Sequence, residues 1–250
     1  MTTAAAPAPI FPGGTSVTRL AVYDDAAPDG VAGGTPHLHT ASTEAYVVTS
    51  GYGSIQTISP EGFQETALRP GSVAWFTPGT IHRAVSHRDL EVLVIMSNAG
   101  LPEAGDAVMT FPDHIVSDPV RYRDAASLPP AGSPESELLE AARRRRDLGV
   151  EGFVALKAAA ETDPQAFNAA LNRFYAHATA LVAPKASSWR DIWESTVAKA
   201  TAQTDQALTA LAEGRSVHLL EAALAEVPPS SGIRSFGMCG RLRTYNVQAG

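Results

Sequence analysis

Between Gly34 and Gly51 the chain reads GTPHLHTASTEAYVVTSG, and the two histidines inside it constrain the fold more than any other feature. On a β-strand, residues two apart project from the same face, so His37 and His39 can aim two imidazoles at one point. A carboxylate on the neighbouring strand, reached through a short turn over Thr40 to Thr43, would meet that point from the side, and Glu44 fits. A second stretch, Arg69 to Ser86, reads RPGSVAWFTPGTIHRAVS; Pro78-Gly79 makes a tight turn and His82 opens the next strand. A lone histidine on a strand is ordinarily a packed or surface residue, but four residues agreeing in type, order and spacing point to a metal site. Three neutral imidazoles and one carboxylate suit one divalent transition ion: Fe2+, Mn2+, Ni2+, Co2+ or Zn2+. Ca2+ and Mg2+ prefer oxygen. Two positions of an octahedral ion would stay open.

The surrounding sequence alternates with a period of two. Strands are expected at Thr15 to Tyr23, Ala45 to Thr49, Gly53 to Ile58, Phe63 to Leu68, Ser72 to Phe76, Ile81 to Ser86 and Leu90 to Met96. Short strands broken by Gly and Pro every eight to twelve residues argue a sandwich or barrel. Parity places Tyr46 and Val48 inward with Glu44, and Ala84 and Ser86 inward with His82, giving a mostly apolar pocket suited to a small molecule. Tyr46 either hydrogen-bonds a bound ligand or is a core tyrosine whose hydroxyl meets backbone. Glu44 and Tyr46 are the candidates for catalytic roles. His87 should face outward, and His114 reads as a surface or loop residue.

These residues resemble the two motifs of the cupin family. The first, G-x5-H-x-H-x3-4-E-x6-G, is met from His37 to Gly51; its leading glycine falls on Val31, with Gly30, Gly33 and Gly34 nearby. The second, G-x5-P-x-G-x2-H-x3-N, is met at Gly71, Gly79 and His82, with Thr77 for its proline beside Pro78, and Ser86 for its asparagine. The resemblance covers roughly residues 15 to 112. It implies a small jelly-roll barrel with His37, His39, Glu44 and His82 pointing inward. It also implies one of three kinds of protein: a dioxygenase-like oxidoreductase, a redox-neutral isomerase, epimerase or cyclase using the ion as a Lewis acid, or a non-catalytic binding barrel. The three-His, one-Glu set is frequent among cupin dioxygenases, which favours Fe2+ and the oxidoreductase.

Composition narrows the partners. The 250 residues are 44% hydrophobic and 18% charged, able to bury a core. Nineteen Lys plus Arg against 26 Asp plus Glu give a net charge of -7, which argues against a general nucleic-acid-binding surface. No apolar run approaches the ~18 residues that span a bilayer. Cys239 is the single cysteine, and residues 1–14 lack the form of a secretory signal, so a reducing, cytoplasmic setting is expected. That leader reads as flexible; otherwise Ile10 and Phe11 tuck against the barrel or a partner subunit.

Residues 113–132 belong to a Pro-, Gly- and Asp-rich connection with one or two short helical turns. After Pro134 the period becomes 3.6, and residues 133–227 read as four amphipathic helices. The first is kinked or split near Gly149 and Gly152; the third carries Trp189, Trp193, Leu208 and Leu211; the fourth runs from Ser216 to Val227. Arg143 to Arg146 cover more than one turn and read as a solvated face with Glu140, the alternatives being an anion contact or a subunit salt bridge. Residues 232–248 recover strand character and should return to an edge of the barrel, or else exchange into a homodimer. The fold class expected is therefore a β jelly-roll barrel, a helical C-terminal unit and a final return strand. The expected partner is a small-molecule substrate, and the source of specificity is the helical unit.

Overall fold

The computed structural model describes residues 9–232 and 234–247, so most of the leader expected to be flexible, and position 248, lie outside the described residues. The strands are β1 (Ser16–Val22), β2 (His37–His39), β3 (Glu44–Ser59), β4 (Gly62–Leu68), β5 (Val73–Phe76), β6 (Ile81–Met96) and β7 (Ala107–Met109). The helices α1 (Asp113–Val116), α2 (Pro119–Ala126), α3 (Glu135–Thr162), α4 (Pro164–Val182), α5 (Ala186–Trp193) and α6 (Lys199–Ala212) follow. The chain returns as β8 (Ser235–Phe236) and β9 (Gly240–Thr244).

Two pairs of expected short strands prove to be two long ones. β3 and β6 each run 16 residues and pair antiparallel along their length, with register shifts between Val48 and Gly53. Bulges bend strands, and Gly51, at φ +75°, marks the bend, where an added Cβ would stand 2.1 Å from Asp89 O. The bend makes two half-sheets from one. The first contains β5, the start of β3, the end of β6, β1, β9 and β8; the second contains β4, the end of β3, the start of β6, β2 and β7. Leu20, Val48 and Val92 from the first half meet Ile55, Leu68 and Ala84 from the second in one apolar core. The halves therefore close over each other as the two layers of a jelly roll.

The helices cover the outer face of the second half-sheet. Leu38, Ile58, Ile81 and Val108 of the strands share a core with Phe153, Leu156, Phe167, Leu171 and Phe174 of α3 and α4. Asp163 caps α4 by accepting from the amides of Gln165 and Ala166, and Pro164 stands at its first position.

Several expectations need correction. β2 pairs with β6 and β7, so Glu44 reaches the histidines from across the barrel and not from a neighbouring strand. α3 is unbroken through Gly149 and Gly152, because these glycines serve close approach: an added Cβ would lie 2.7 Å from Thr35 Cγ2 at the first and 2.0 Å from Thr110 O at the second. The third helix continues from α5 through a π turn at Glu194–Ala198 into α6, yet Leu208 and Leu211 are exposed. Where a fourth helix was expected there is only a 3-10 turn, Val217–Glu221, with Leu220 and Leu224 exposed; without a surface to bury against, so short a helix has little to stabilise it. Gly14 ends the 3-10 turn Pro12–Gly14 and is buried, its carbonyl accepting from Ala99 N, so the described end of the leader is packed.

Arg143 to Arg146 are not a solvated face either. Only Arg144 behaves as expected, pairing with Glu140 at 2.6 Å. Arg143 and Arg146 both reach Asp25 at 2.9 Å, and Arg146 also donates to the carbonyls of Asp25 and Ala26. Arg145 is buried and donates to Gly237 O at 2.7 Å. The run clamps α3 to the loop after β1 and to the returning tail.

Gly152→Ala tests the approach of α3 to the barrel. In an isolated helix Ala is favoured over Gly by about 1 kcal/mol; here the methyl group has no room, and a net loss of about 1–3 kcal/mol is expected in urea unfolding.

Candidate metal centre

The three histidines come from strand segments buried on both faces, and Glu44 from the buried face of β3. In β2, His37 and His39 face the barrel interior while Leu38 between them is buried under the helices. His82 sits directly opposite His37 in the β2–β6 pairing. Glu44 opens β3 in the facing half-sheet. One ligating atom from each of His37, His39, Glu44 and His82 lies within 4.8 Å of all the others, and all four residues are buried. The structure thus brings together all four residues picked out by spacing.

The outer nitrogen of each imidazole has a partner. His37 Nδ1 donates to Thr35 O at 2.9 Å, His82 Nδ1 to Thr80 O at 3.2 Å, and His39 Nδ1 to Asp106 Oδ1 at 2.6 Å. A carbonyl oxygen can only accept, so the proton of His37 and of His82 is fixed on Nδ1 and the Nε2 lone pair is left for the centre. Glu44 Oε2 stands 3.1 Å from both His39 Nε2 and His82 Nε2. Glu44 Oε2 and His82 Nε2 are nevertheless buried without a hydrogen bond of acceptable direction. They aim past each other at shared space. Two ligands at right angles, each about 2.1 Å from one ion, stand roughly 3.0 Å apart, so the 3.1 Å spacing leaves Glu44, His39 and His82 able to share one ion. The residues present fit a divalent transition ion.

Charge balance agrees. Burial and the two neighbouring imidazoles push His37 well below the ordinary histidine value. Burial also opposes a cation at His39, but Asp106 and Glu44 on either side outweigh it and lift the group to about 10. Burial would raise Glu44, yet His82 and His39 hold its carboxyl well below the usual carboxylate range. Without an ion, a His39 proton thus partly compensates the buried carboxylates.

Asp106 was missed by the sequence reading. It lies in the connection just before β7, and its two oxygens accept from His39 Nδ1 and from Ser42 N, the latter at 3.0 Å. An Asp before a three-residue strand carries no local signal; only the fold brings it to His39. Tyr46 and Val48 do lie inward with Glu44, and Ala84 and Ser86 with His82, while His87 and His114 are exposed. The Tyr46 hydroxyl faces neither backbone nor open space: it lies 3.6 Å from Cys239 Sγ. The tail delivers that cysteine, since Thr35 N donates to Met238 O and Tyr23 N to Cys239 O. Gly34 makes room for it, an added Cβ there standing 2.4 Å from Cys239 Cα. Burial and nearby Glu44 push the thiol up to about 12, and burial with Cys239 and Glu44 raises Tyr46 well above its ordinary value. Both groups stay protonated donors at neutral pH.

Residues 9–103 match the sequence profile described as Cupin. No curated protein matches the chain. Among solved structures, Pac13, a nucleoside dehydratase from Streptomyces, is similar at 19% identity over 39% of this chain and 69% of its own, with a TM-score of 0.30. Oxalate oxidase bound to glycolate is similar at 19% identity over 34% of this chain and 51% of its own, TM-score 0.25. Hazelnut (Corylus avellana) vicilin is similar at 22% identity over 27% and 21%, TM-score 0.26. Among the described residues no helix is long and apolar enough to cross a membrane.

Asp106→Asn is the discriminating substitution at this centre. Asn offers one acceptor where two donors, His39 Nδ1 and Ser42 N, need one each. Metal affinity should fall about 10- to 100-fold while the ligands themselves remain, read by competition with a chromophoric chelator.

Proposed function

We propose that this chain, whose residues 9–103 match the Cupin profile, is a metal-dependent enzyme acting on a small organic molecule, with Fe2+ as the favoured ion and dioxygenase-like oxidation as the favoured chemistry. The carrying observation is the orphaned pair Glu44 Oε2 and His82 Nε2, buried beside two further imidazoles whose outer nitrogens are already committed. His37, His39, Glu44 and His82 would hold the ion. When bound, Fe2+ supplies a redox centre with open positions at which an electron-rich substrate and dioxygen can meet.

The chain's own residues shape what happens there. Three neutral imidazoles and one carboxylate leave a divalent ion a net positive charge, which favours a substrate with oxygen donors or negative charge. Phe76 packs its ring 4.1 Å from that of His82 and stands edge-on to Tyr46 at 5.5 Å, so one wall of the centre is apolar and excludes water. The Tyr46 hydroxyl, held protonated, can donate to a bound substrate once it turns from Cys239.

Two measurements test this. Protein purified without added metal should contain close to one transition ion per chain, and Glu44→Gln should lose most of it. The Fe2+ form should then consume oxygen with an oxygen-donor substrate in an electrode assay. Turnover of substrates without oxygen uptake would replace oxidation by the Lewis-acid isomerase, epimerase or cyclase reading. Ligand binding with no turnover would make the barrel a binding module.

pH dependence follows from His39. Its imidazole must lose the Nε2 proton before it can ligate, so ion uptake releases a proton at any pH below about 10. Apparent affinity should therefore rise with pH, by up to about tenfold per unit between about pH 6 and about pH 8. A flat profile would show that His39 is already neutral.

A further inference from the structure

We propose that Tyr175, on α4, is a positioning residue for the metal centre, its hydroxyl holding the Thr77–Thr80 turn in the shape that keeps His39 and His82 aimed at one point. The proposal rests on the metal-centre reading above and extends it to the helical unit.

The path is short. The Tyr175 hydroxyl donates to Gly79 O at 2.9 Å. The Gly79 amide donates to His39 O at 2.9 Å. The next carbonyl, Thr80 O, accepts from His82 Nδ1 at 3.2 Å. Two consecutive residues of one turn thus touch the strand carrying His39, the ring of His82 and a helix of the C-terminal unit. Gly79 has φ +87°, a left-handed conformation that glycine holds readily and also leaves readily. The Thr80 amide closes the turn on Thr77 O and the Gly79 amide ties it to His39, and the Tyr175 hydroxyl holds the Gly79 carbonyl from the helix side.

The surroundings make that contact consequential. On the helix side the turn borders a groove of about 670 Å³, lined also by Leu38, Glu61 and Thr179. Among the described residues, the Tyr175 hydroxyl is the hydrogen bond that crosses this groove to the turn. The groove has room for water, which could satisfy Gly79 O if the hydroxyl were removed. The loss would then fall on the aim of the two imidazoles rather than on the stability of the fold. Asp106 acts on the His39 ring directly, whereas Tyr175 acts one link further out and on two ligands together.

The test uses the full chain stripped of metal, with Co2+ as the probe. Wild type, Tyr175→Phe and the groove control Thr179→Val are titrated, reading affinity and the visible absorption bands of bound Co2+; thermal melting of each metal-free protein runs in parallel. Tyr175→Phe is expected to bind Co2+ about tenfold more weakly, with shifted bands. Its metal-free melting should stay close to wild type, and Thr179→Val should match wild type in every readout. Wild-type affinity and spectrum in Tyr175→Phe would overturn the proposal. So would a fall in affinity matched by loss of the cooperative melt, which would make the hydroxyl a folding contact. Failure of wild type itself to take up Co2+ would sink the metal-centre reading, and this proposal with it.

Discussion

Three imidazoles and a carboxylate cannot share a buried space of a few ångströms unless each ring is held by its far side. On the near side the Nε2 atoms converge on one space with Glu44, so each ring's orientation is set by the partner of its Nδ1. Thr35 O, Asp106 and Thr80 O provide the three holds. Two of these holds depend in turn on something outside the barrel's own strands. Thr35 is gripped by Met238 of the returning tail, and the Thr77–Thr80 turn is touched by α4. The geometry of the four-residue cluster therefore depends on the tail and the helical unit as well as on the barrel.

The bend in β3 and β6 is the backbone counterpart of those holds. It puts Glu44 in one half-sheet and His82 in the other, so that two strands which pair along their whole length also supply ligands from opposite walls. A flat pair would leave Glu44 and His82 far apart, since they sit near opposite ends of the ladder. Gly51 permits the bend. The motif glycine that closes the first histidine stretch is thus a hinge of the barrel.

The clustering of the four residues was legible because its signals are local: His37 and His39 share a strand face, Glu44 follows within a few residues, and His82 sits just past a marked turn. Strand periods and the change to helical period after Pro134 were legible for the same reason. What escaped was long-range. Asp106, Cys239 and Tyr175 owe their positions to partners far along the chain, and nothing in their neighbouring residues distinguishes them. The Arg143 to Arg146 run shows the limit from the other side. A charge cluster on a helix reads as solvated until Asp25 and Gly237, both remote in sequence, arrive to bury half of it. Likewise the glycines of α3 look like breaks until Thr35 and Thr110 are seen pressed against them.

β1 is flanked by β6 and by β9, so Leu20 pairs on one side with Val92 and on the other with Leu242. During synthesis, β1 therefore emerges long before its second neighbour exists. Until residues 240–244 leave the ribosome, that edge of the sheet stays open to other strands and Cys239 is absent from the barrel interior. Pairings so distant in sequence form late and slowly, and an unpaired edge is prone to mispairing in the interval. Whatever shields β1 during that wait, the helical layer or a chaperone, decides how much of the newly made chain closes its barrel around the four-residue cluster.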